Sequence, residues 1–206
     1  LATFTLKLEN IKSMIKITTG PGKAGKSKKL IETYNELIAQ GIKVQVFSSK
    51  YSLTSGEGIV SRYGTEIKAI PISSLFDIQY HTKPDTKAIL IDEFQFLDMN
   101  SKDIKFFMEK HHYDYDYYIF GLNLDYQKRP FKLMAHMMCY ADEIDISGGY
   151  CDICGAVPSK YSLRLEDYKP ANLNENGKII LLDGECGEQK IEYKSVCDLC
   201  WQEIYG

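Results

Sequence analysis

The sequence has no apolar run approaching the roughly 20 residues that a membrane-spanning helix needs, so no segment reads as a bilayer span. It also lacks an excess of positive charge. Lys and Arg number 25 against 28 Asp and Glu, a formal net charge of −3, which argues against a dedicated nucleic-acid surface, since such surfaces are basic. Residues 1–13 lack a continuous apolar core of signal-peptide length, being interrupted by Lys7, Glu9 and Lys12. With Met14 standing just before the first convincing strand, they are expected to be a leader or an expression remnant, and the expected compartment is the cytoplasm. What remains is ordinary for a globular protein. There are 206 residues, 44% apolar and 26% charged, enough for a real core and for one domain plus a small appendage.

Strands alternating with helices predict an α/β fold with a parallel sheet and right-handed crossovers. Strands are expected at Ile15–Thr18, Lys43–Ser48, Ile67–Ile70, Ala88–Asp92, Tyr117–Phe120 and Glu143–Ile146. Ala88–Asp92 is an apolar run ending in acid, as a buried parallel strand reads. Helical spacing of Leu30, Ile31, Tyr34, Leu37 and Ile38 predicts a helix over Lys26–Gln40, ended by Gly41. Further helices are expected over Ser73–Tyr80, over Ser101–Lys110 with Ser101 as N-cap, and over Phe131–Cys139. Tyr51–Gly58 reads as a loop. The composition changes at Gly148-Gly149, so residues 14–147 are expected to form the α/β domain and 148–206 a second, smaller one.

Three motifs carry chemistry. Gly20-Pro21-Gly22-Lys23-Ala24-Gly25-Lys26-Ser27 fits the phosphate-loop pattern between a strand and a helix. Its backbone N–H groups would converge on phosphate oxygens, Lys26 would reach the β- and γ-phosphates, and the Ser27 hydroxyl would ligate Mg²⁺. A chance match in a glycine-rich turn is the competing reading, opposed by the strand before and the helix after. Asp92 and Glu93 end a strand where an Asp can serve Mg²⁺ and a Glu can act as base, or else form a solvated strand terminus. Of the six cysteines, Cys151, Cys154, Cys197 and Cys200 form two Cys-x-x-Cys pairs, which suit a closed, structural zinc site. Redox pairs or unrelated thiols are the alternatives, although a redox dithiol needs only one pair. Cys139 and Cys186 read as a helix thiol and a loop thiol. A zinc-ribbon nucleic-acid binder would need a basic C-terminal part, but residues 151–206 hold ten acidic residues against six basic ones.

Together these motifs resemble the type II thymidine kinases, a zinc-containing family of cellular and bacterial enzymes, from Ile15 to Trp201. The phosphate loop is joined by Ile91-Asp92-Glu93-Phe94-Gln95-Phe96, by Gly121-Leu122-Asn123-Leu124-Asp125-Tyr126-Gln127-Lys128-Arg129-Pro130-Phe131, by the four cysteines, and by Tyr193-Lys194-Ser195-Val196-Cys197 at the end of the family's lasso. The resemblance implies a P-loop-type parallel sheet with a C-terminal zinc and lasso unit. It implies transfer of the γ-phosphate of ATP to the 5′-hydroxyl of thymidine, with deoxyuridine as a second substrate. It makes Glu93 the base, with Asp92 serving Mg²⁺. Phe96, Leu122, Tyr126, Phe131, Ser162 and Tyr193 would line the nucleoside site. A homotetramer and inhibition by thymidine triphosphate follow from the same resemblance, while the charge balance and the lack of a long apolar run lead to the expectation of no nucleic-acid or membrane partner. Phe94, Phe106 and Phe107 are expected in the core.

The chain departs from the family in one catalytic element. Ser52 and Thr54 stand where the family has an Asp-x-Arg near the phosphates, and the chain has only three arginines, Arg62, Arg129 and Arg164. Phosphoryl transfer needs positive charge on the moving group, so Lys50 or Arg62 is expected to supply it with Lys26. The alternative is a kinase-like protein that binds nucleotide or nucleoside with little turnover.

Overall fold

A computed structural model describes residues 13–51, 58–60, 66–111, 114–173, 184–186 and 189–206. Ser52, Thr54 and Arg62 lie outside them. The main sheet holds six parallel strands. They are β1 (Ile15–Thr19), β2 (Val44–Ser49), β5 (Ile70–Ile72), β6 (Ala88–Asp92), β7 (Asp116–Gly121) and β8 (Glu143–Ile146), in the order β5-β2-β6-β7-β1-β8. Between β2 and β5, β3 (Gly58–Val60) and β4 (Glu66–Lys68) form a separate antiparallel pair. The helices are α1 (Lys26–Ala39), α2 (Ile78–His81), α3 (Ser101–His111), α4 (Lys132–Met138) and α5 (Asp198–Tyr205).

Alternation along the strands divides the core between the two faces of the sheet. Ala88 and Leu90 of β6, Val46 of β2 and Phe120 of β7 pack with Leu30, Ile31 and Leu37 of α1. Ile89 and Ile91, with Ile15, Ile17, Phe47, Tyr117 and Ile119, face the other way onto Ile104, Phe107 and Met108 of α3 and Leu133, Met134 and Met137 of α4. The connection from β1 through α1 to β2 passes over β7 and β6. Because the strands are parallel, the carboxyl ends of β1, β6, β7 and β8 share one edge of the sheet.

The C-terminal part builds its own sheet, ordered β10-β9-β12-β11, from β9 (Tyr161–Glu166), β10 (Lys169–Pro170), β11 (Gly184–Cys186) and β12 (Gln189–Val196). Its core holds Leu163, Leu165, Val196 and Trp201 together with Cys151, Cys197 and Cys200.

Several expected boundaries need correction. The single strand at Ile67–Ile70 is two short ones, β4 and β5, and Pro71 lies inside β5. Proline is tolerated there because β5 is an edge strand with a partner on one side only. The Ser73–Tyr80 helix is a 3₁₀ turn at Leu75–Asp77 followed by α2, with Asp77 Oδ2 accepting from the Ser73 and Ser74 N–H groups at 2.7 and 3.0 Å. The cap of α3 is Asn100, not Ser101. Asn100 Oδ1 accepts from the Lys102 N–H at 2.8 Å, and Asp103 Oδ2 accepts from the Asn100 N–H at 2.9 Å, a reciprocal capping box. Phe106 is not core. It lies off the inward stripe of Ile104, Phe107 and Met108 and is 53% exposed. Cys186 belongs to β11 rather than to a loop.

Asn100→Ala is expected to lower stability by about 1 kcal/mol, the usual cost of a lost N-cap, while Ser101→Ala changes it by a few tenths at most. Urea midpoints of the two variants check the assignment, and equal midpoints would refute it.

Candidate active site and zinc centre

The glycine-rich loop leaves β1 at the carboxyl edge of the sheet and opens α1. Gly20 lies against the chain that follows β8, where a Cβ would come 2.1 Å from the Ser147 carbonyl oxygen, so no larger residue fits. Ser147 N–H in turn donates to the Thr19 carbonyl at 2.7 Å. Lys26 is buried, and its ammonium donates to the loop's own carbonyls, Pro21 O at 2.6 Å and Gly20 O at 3.3 Å. Burial pushes its pKa below the ordinary lysine value, against the opposing pull of the Glu93 and Asp92 carboxylates. Ser27 is half-buried at the first turn of α1.

Asp92 ends β6 and is buried. Burial first, then the Glu93 charge, pushes its carboxyl up to about 7, although the Glu93 N–H donates to Asp92 Oδ1 at 3.0 Å. Burial thus disfavours the ionised form of this carboxyl, and a cation beside it would offset that cost. Glu93 adopts a left-handed backbone (φ 50°), uncommon for a non-glycine residue. Its carboxylate accepts from Gln95 Nε2 at 2.5 Å. Gln95 Oε1 accepts from the Leu122 N–H at 2.9 Å, at the end of β7.

The Gly121–Phe131 segment turns back on itself. Asp125 Oδ1 accepts from the Gln127 and Arg129 N–H groups, and Asp125 Oδ2 from Arg129 Nε at 2.8 Å. The turn carries Tyr126 into a buried position under the Arg164 guanidinium, 5.1 Å from the ring centre. Phe131 stands at the start of α4 with its ring edge-on to Phe96 at 5.6 Å, on the rim of the main core. Leu122 is half-buried on the same rim. Ser162, on β9, accepts the Gly22 N–H at 3.0 Å, and Ser195, on β12, donates to the Gly22 carbonyl. Tyr193 is half-buried on β12, paired in register with Arg164. Lys50 sits with its ammonium 5.0 Å from the Tyr51 ring centre.

The four cysteine sulfurs lie within 4.8 Å of one another. Thiolates about 2.3 Å from one zinc would stand about 3.8 Å apart, so the set fits a tetrahedral ion. Cys151 and Cys154 sit on a knuckle closed by the Gly155 N–H to the Cys151 carbonyl at 2.9 Å, and Cys197 and Cys200 open α5. Burial raises the Cys151 thiol, but hydrogen bonds from the Cys154, Cys197 and Ile153 N–H groups outweigh it and hold the thiol down at about 6. Cys200 is pushed up, by its hydrogen bond with Cys154 and by burial. Such a crowd of thiols ionises together only around a cation.

Sequence reasoning missed four contributors. Gln95 and Ser195 stood inside quoted motifs without a role. Arg164 and Lys128 had no local signal, because their partners come from the other part of the chain. The Lys128 ammonium lies 3.9 Å from the Tyr161 ring centre and 4.6 Å from that of Trp201.

A glycine loop between β1 and α1, an acidic pair at the end of β6, two strands away across β7, and a Cys₄ cluster able to hold zinc define a phosphotransferase-like α/β protein. The family model described as thymidine kinase matches residues 13–201. The thymidine kinase of Ureaplasma parvum serovar 3 is 31% identical over 167 residues, 79% of this chain and 74% of that protein. That of onion yellows phytoplasma is 31% identical over 181 residues, 86% of this chain and 83% of that protein. The chain belongs to the thymidine kinase family. No described helix is long and apolar enough to cross a membrane.

Trp201 is the one tryptophan, and it stacks on Tyr205 at 4.7 Å beside Cys200. Stripping the metal with a chelator is therefore expected to shift its fluorescence and release one zinc per chain. Emission that is blind to the chelator would count against the Cys₄ site.

Proposed function

We propose that the chain phosphorylates the 5′-hydroxyl of thymidine with ATP, using Glu93 as the base and Gly20–Ser27 as the phosphate loop. The observation that carries this reading is the shared carboxyl edge of the parallel sheet. The glycine loop leaves β1, the Asp92–Glu93 pair ends β6, and the Leu122 segment leaves β7 along that edge. Glu93 takes the 5′-hydroxyl proton as the O5′–Pγ bond forms, and the bond from Pγ to the departing ADP oxygen breaks. Lys26 exchanges its contacts with the Gly20 and Pro21 carbonyls for phosphate oxygens. Asp92 and Ser27 would hold Mg²⁺, which supplies charge on the phosphates when bound.

Phe96, Leu122, Tyr126, Phe131, Ser162 and Tyr193 line the nucleoside site in this reading, with the base ring against Tyr126. Lys50 or Arg62 supplies the charge that the family's Asp-x-Arg element would give. Residues 14–147 act as the ATP-binding unit and 148–206 as the zinc and lasso unit. The zinc is structural, since four thiolates leave no open position. Deoxyuridine as a second substrate, inhibition by thymidine triphosphate, a homotetramer and a cytoplasmic location complete the proposal.

The test is formation of thymidine monophosphate from thymidine and Mg²⁺-ATP, with deoxycytidine as competitor. Glu93→Gln is expected to lower kcat by at least about 100-fold, the low end of what a general base contributes. Full turnover in Glu93→Gln would remove Glu93 from the role. No product from the parent, with nucleoside still binding, would leave a binding protein. Arg62→Ala with unchanged kcat would assign the missing charge elsewhere.

A further inference from the structure

Gln95 is a polar side chain only 7% exposed, between the fully buried Phe94 and the half-buried Phe96. A buried primary amide is costly unless its hydrogen-bonding groups are used. Both ends of this one are used, and on different elements. Its Nε2 donates to Glu93 Oε2 at 2.5 Å, and its Oε1 accepts from the Leu122 N–H at 2.9 Å. The orientation is dictated by chemistry. A backbone N–H can only donate, so the amide oxygen must face Leu122, and the amide NH₂ must then face Glu93. The Gln95 amide thereby links the main chain just past β7, whose N–H it accepts, to the carboxylate just past β6, to which it donates. The bridge also needs Gly121, since a Cβ there would come 2.2 Å from Gln95 Oε1.

We infer that Gln95 is a positioning residue whose amide ties the Glu93 carboxylate to the Leu122 backbone. The base and the wall of the nucleoside site then keep one fixed register. The left-handed backbone of Glu93 makes such a tie useful, because the residue occupies a sparsely populated conformation and its side chain needs an external hold. Gln95 touches neither nucleoside nor phosphate in this scheme and acts only through Glu93. The inference rests on the reading of Glu93 as the base.

The test is a double-mutant cycle in single-turnover phosphorylation of thymidine. Gln95→Leu is expected to lower the rate at least about tenfold, a typical cost of misplacing a catalytic group, while the KM values for thymidine and ATP move less than about threefold. In a Glu93→Gln background the same change should alter the residual rate by less than about twofold, because the group it positions is gone. Gln95→Glu keeps the shape but sets a carboxylate against Glu93. It repeats the cycle if the leucine variant does not fold, with the same expected coupling. An equal loss in both backgrounds would make Gln95 a packing residue and overturn the inference, as would an unchanged rate for Gln95→Leu in the parent. Full activity in Glu93→Gln alone would instead overturn the base assignment, and the inference with it.

Discussion

Parallel pairing is the constraint on which the rest of the structure depends. Strands β1, β6, β7 and β8 all run the same way, so each delivers its carboxyl end to one edge of the sheet. Each end there turns into a different kind of segment. The glycine loop follows Thr19, the acidic pair closes β6, a hairpin-like turn follows Gly121, and the path to the C-terminal sheet follows Ile146. Ladder hydrogen bonds hold these ends at strand spacing. Short side-chain and backbone contacts then lock the edge, with Thr19 Oγ1 donating to the Gly121 carbonyl at 2.9 Å and Ser147 N–H to the Thr19 carbonyl. Chemistry at such an edge is built from pieces distant in sequence and needs little loop ordering of its own.

One buried ammonium and one buried carboxyl, with the half-buried Glu93 beside them, occupy that edge, and their mutual dependence sets its character. Lys26 is lowered by burial and Asp92 is raised by it, so each resists holding its charge without a partner. Lys26 relieves its desolvation by bonding two carbonyls of its own loop. Asp92 has one backbone donor, the N–H of Glu93. A site so balanced is incomplete in charge. Phosphate oxygens would satisfy the ammonium and a divalent cation the carboxylate, the two components that a nucleotide and its metal bring together.

Much of this was legible in the sequence because the signals were local. An apolar run ending in Asp92-Glu93, a glycine octapeptide between strand and helix, and two Cys-x-x-Cys pairs each identify themselves over a few residues, and β1, β2, β6, β7, β8, α1, α3 and α4 followed to within a residue or two, while the C-terminal strands and α5 were not anticipated. The misreadings share a cause. Ser101 and Asn100 both qualify as caps by type, and only the reciprocal bond with Asp103 decides between them. Phe106 is as apolar as Phe107, but a single helical step separates the inward stripe from solvent. Pro71 suggests a break until one sees that its strand is at the sheet edge. Long-range partners left no local trace at all. Nothing near Arg164 announces Tyr126, and nothing near Lys128 announces Trp201.

The cysteine cluster lies far along the chain from the glycine loop, yet the same kind of long-range contact joins the two. Asp152, between the zinc-knuckle cysteines, donates its N–H to the Ser195 carbonyl at 2.7 Å, and its Oδ2 accepts the Ser195 N–H at 2.8 Å. Ser195 in turn donates its hydroxyl to the Gly22 carbonyl, while Ser162 on the adjoining strand accepts the Gly22 N–H. Gly22 thus has both its backbone groups committed to the C-terminal sheet. Asp152, between Cys151 and Cys154, is thus joined to the loop through Ser195, and a zinc held by the four thiolates would stiffen that path. Apolar packing from Leu163, Leu165, Val196 and Trp201, with Tyr161 and Tyr205 against them, surrounds the cysteines at the end of this relay. A zinc held there would add a metal–thiolate staple at the base of two strands to that apolar packing.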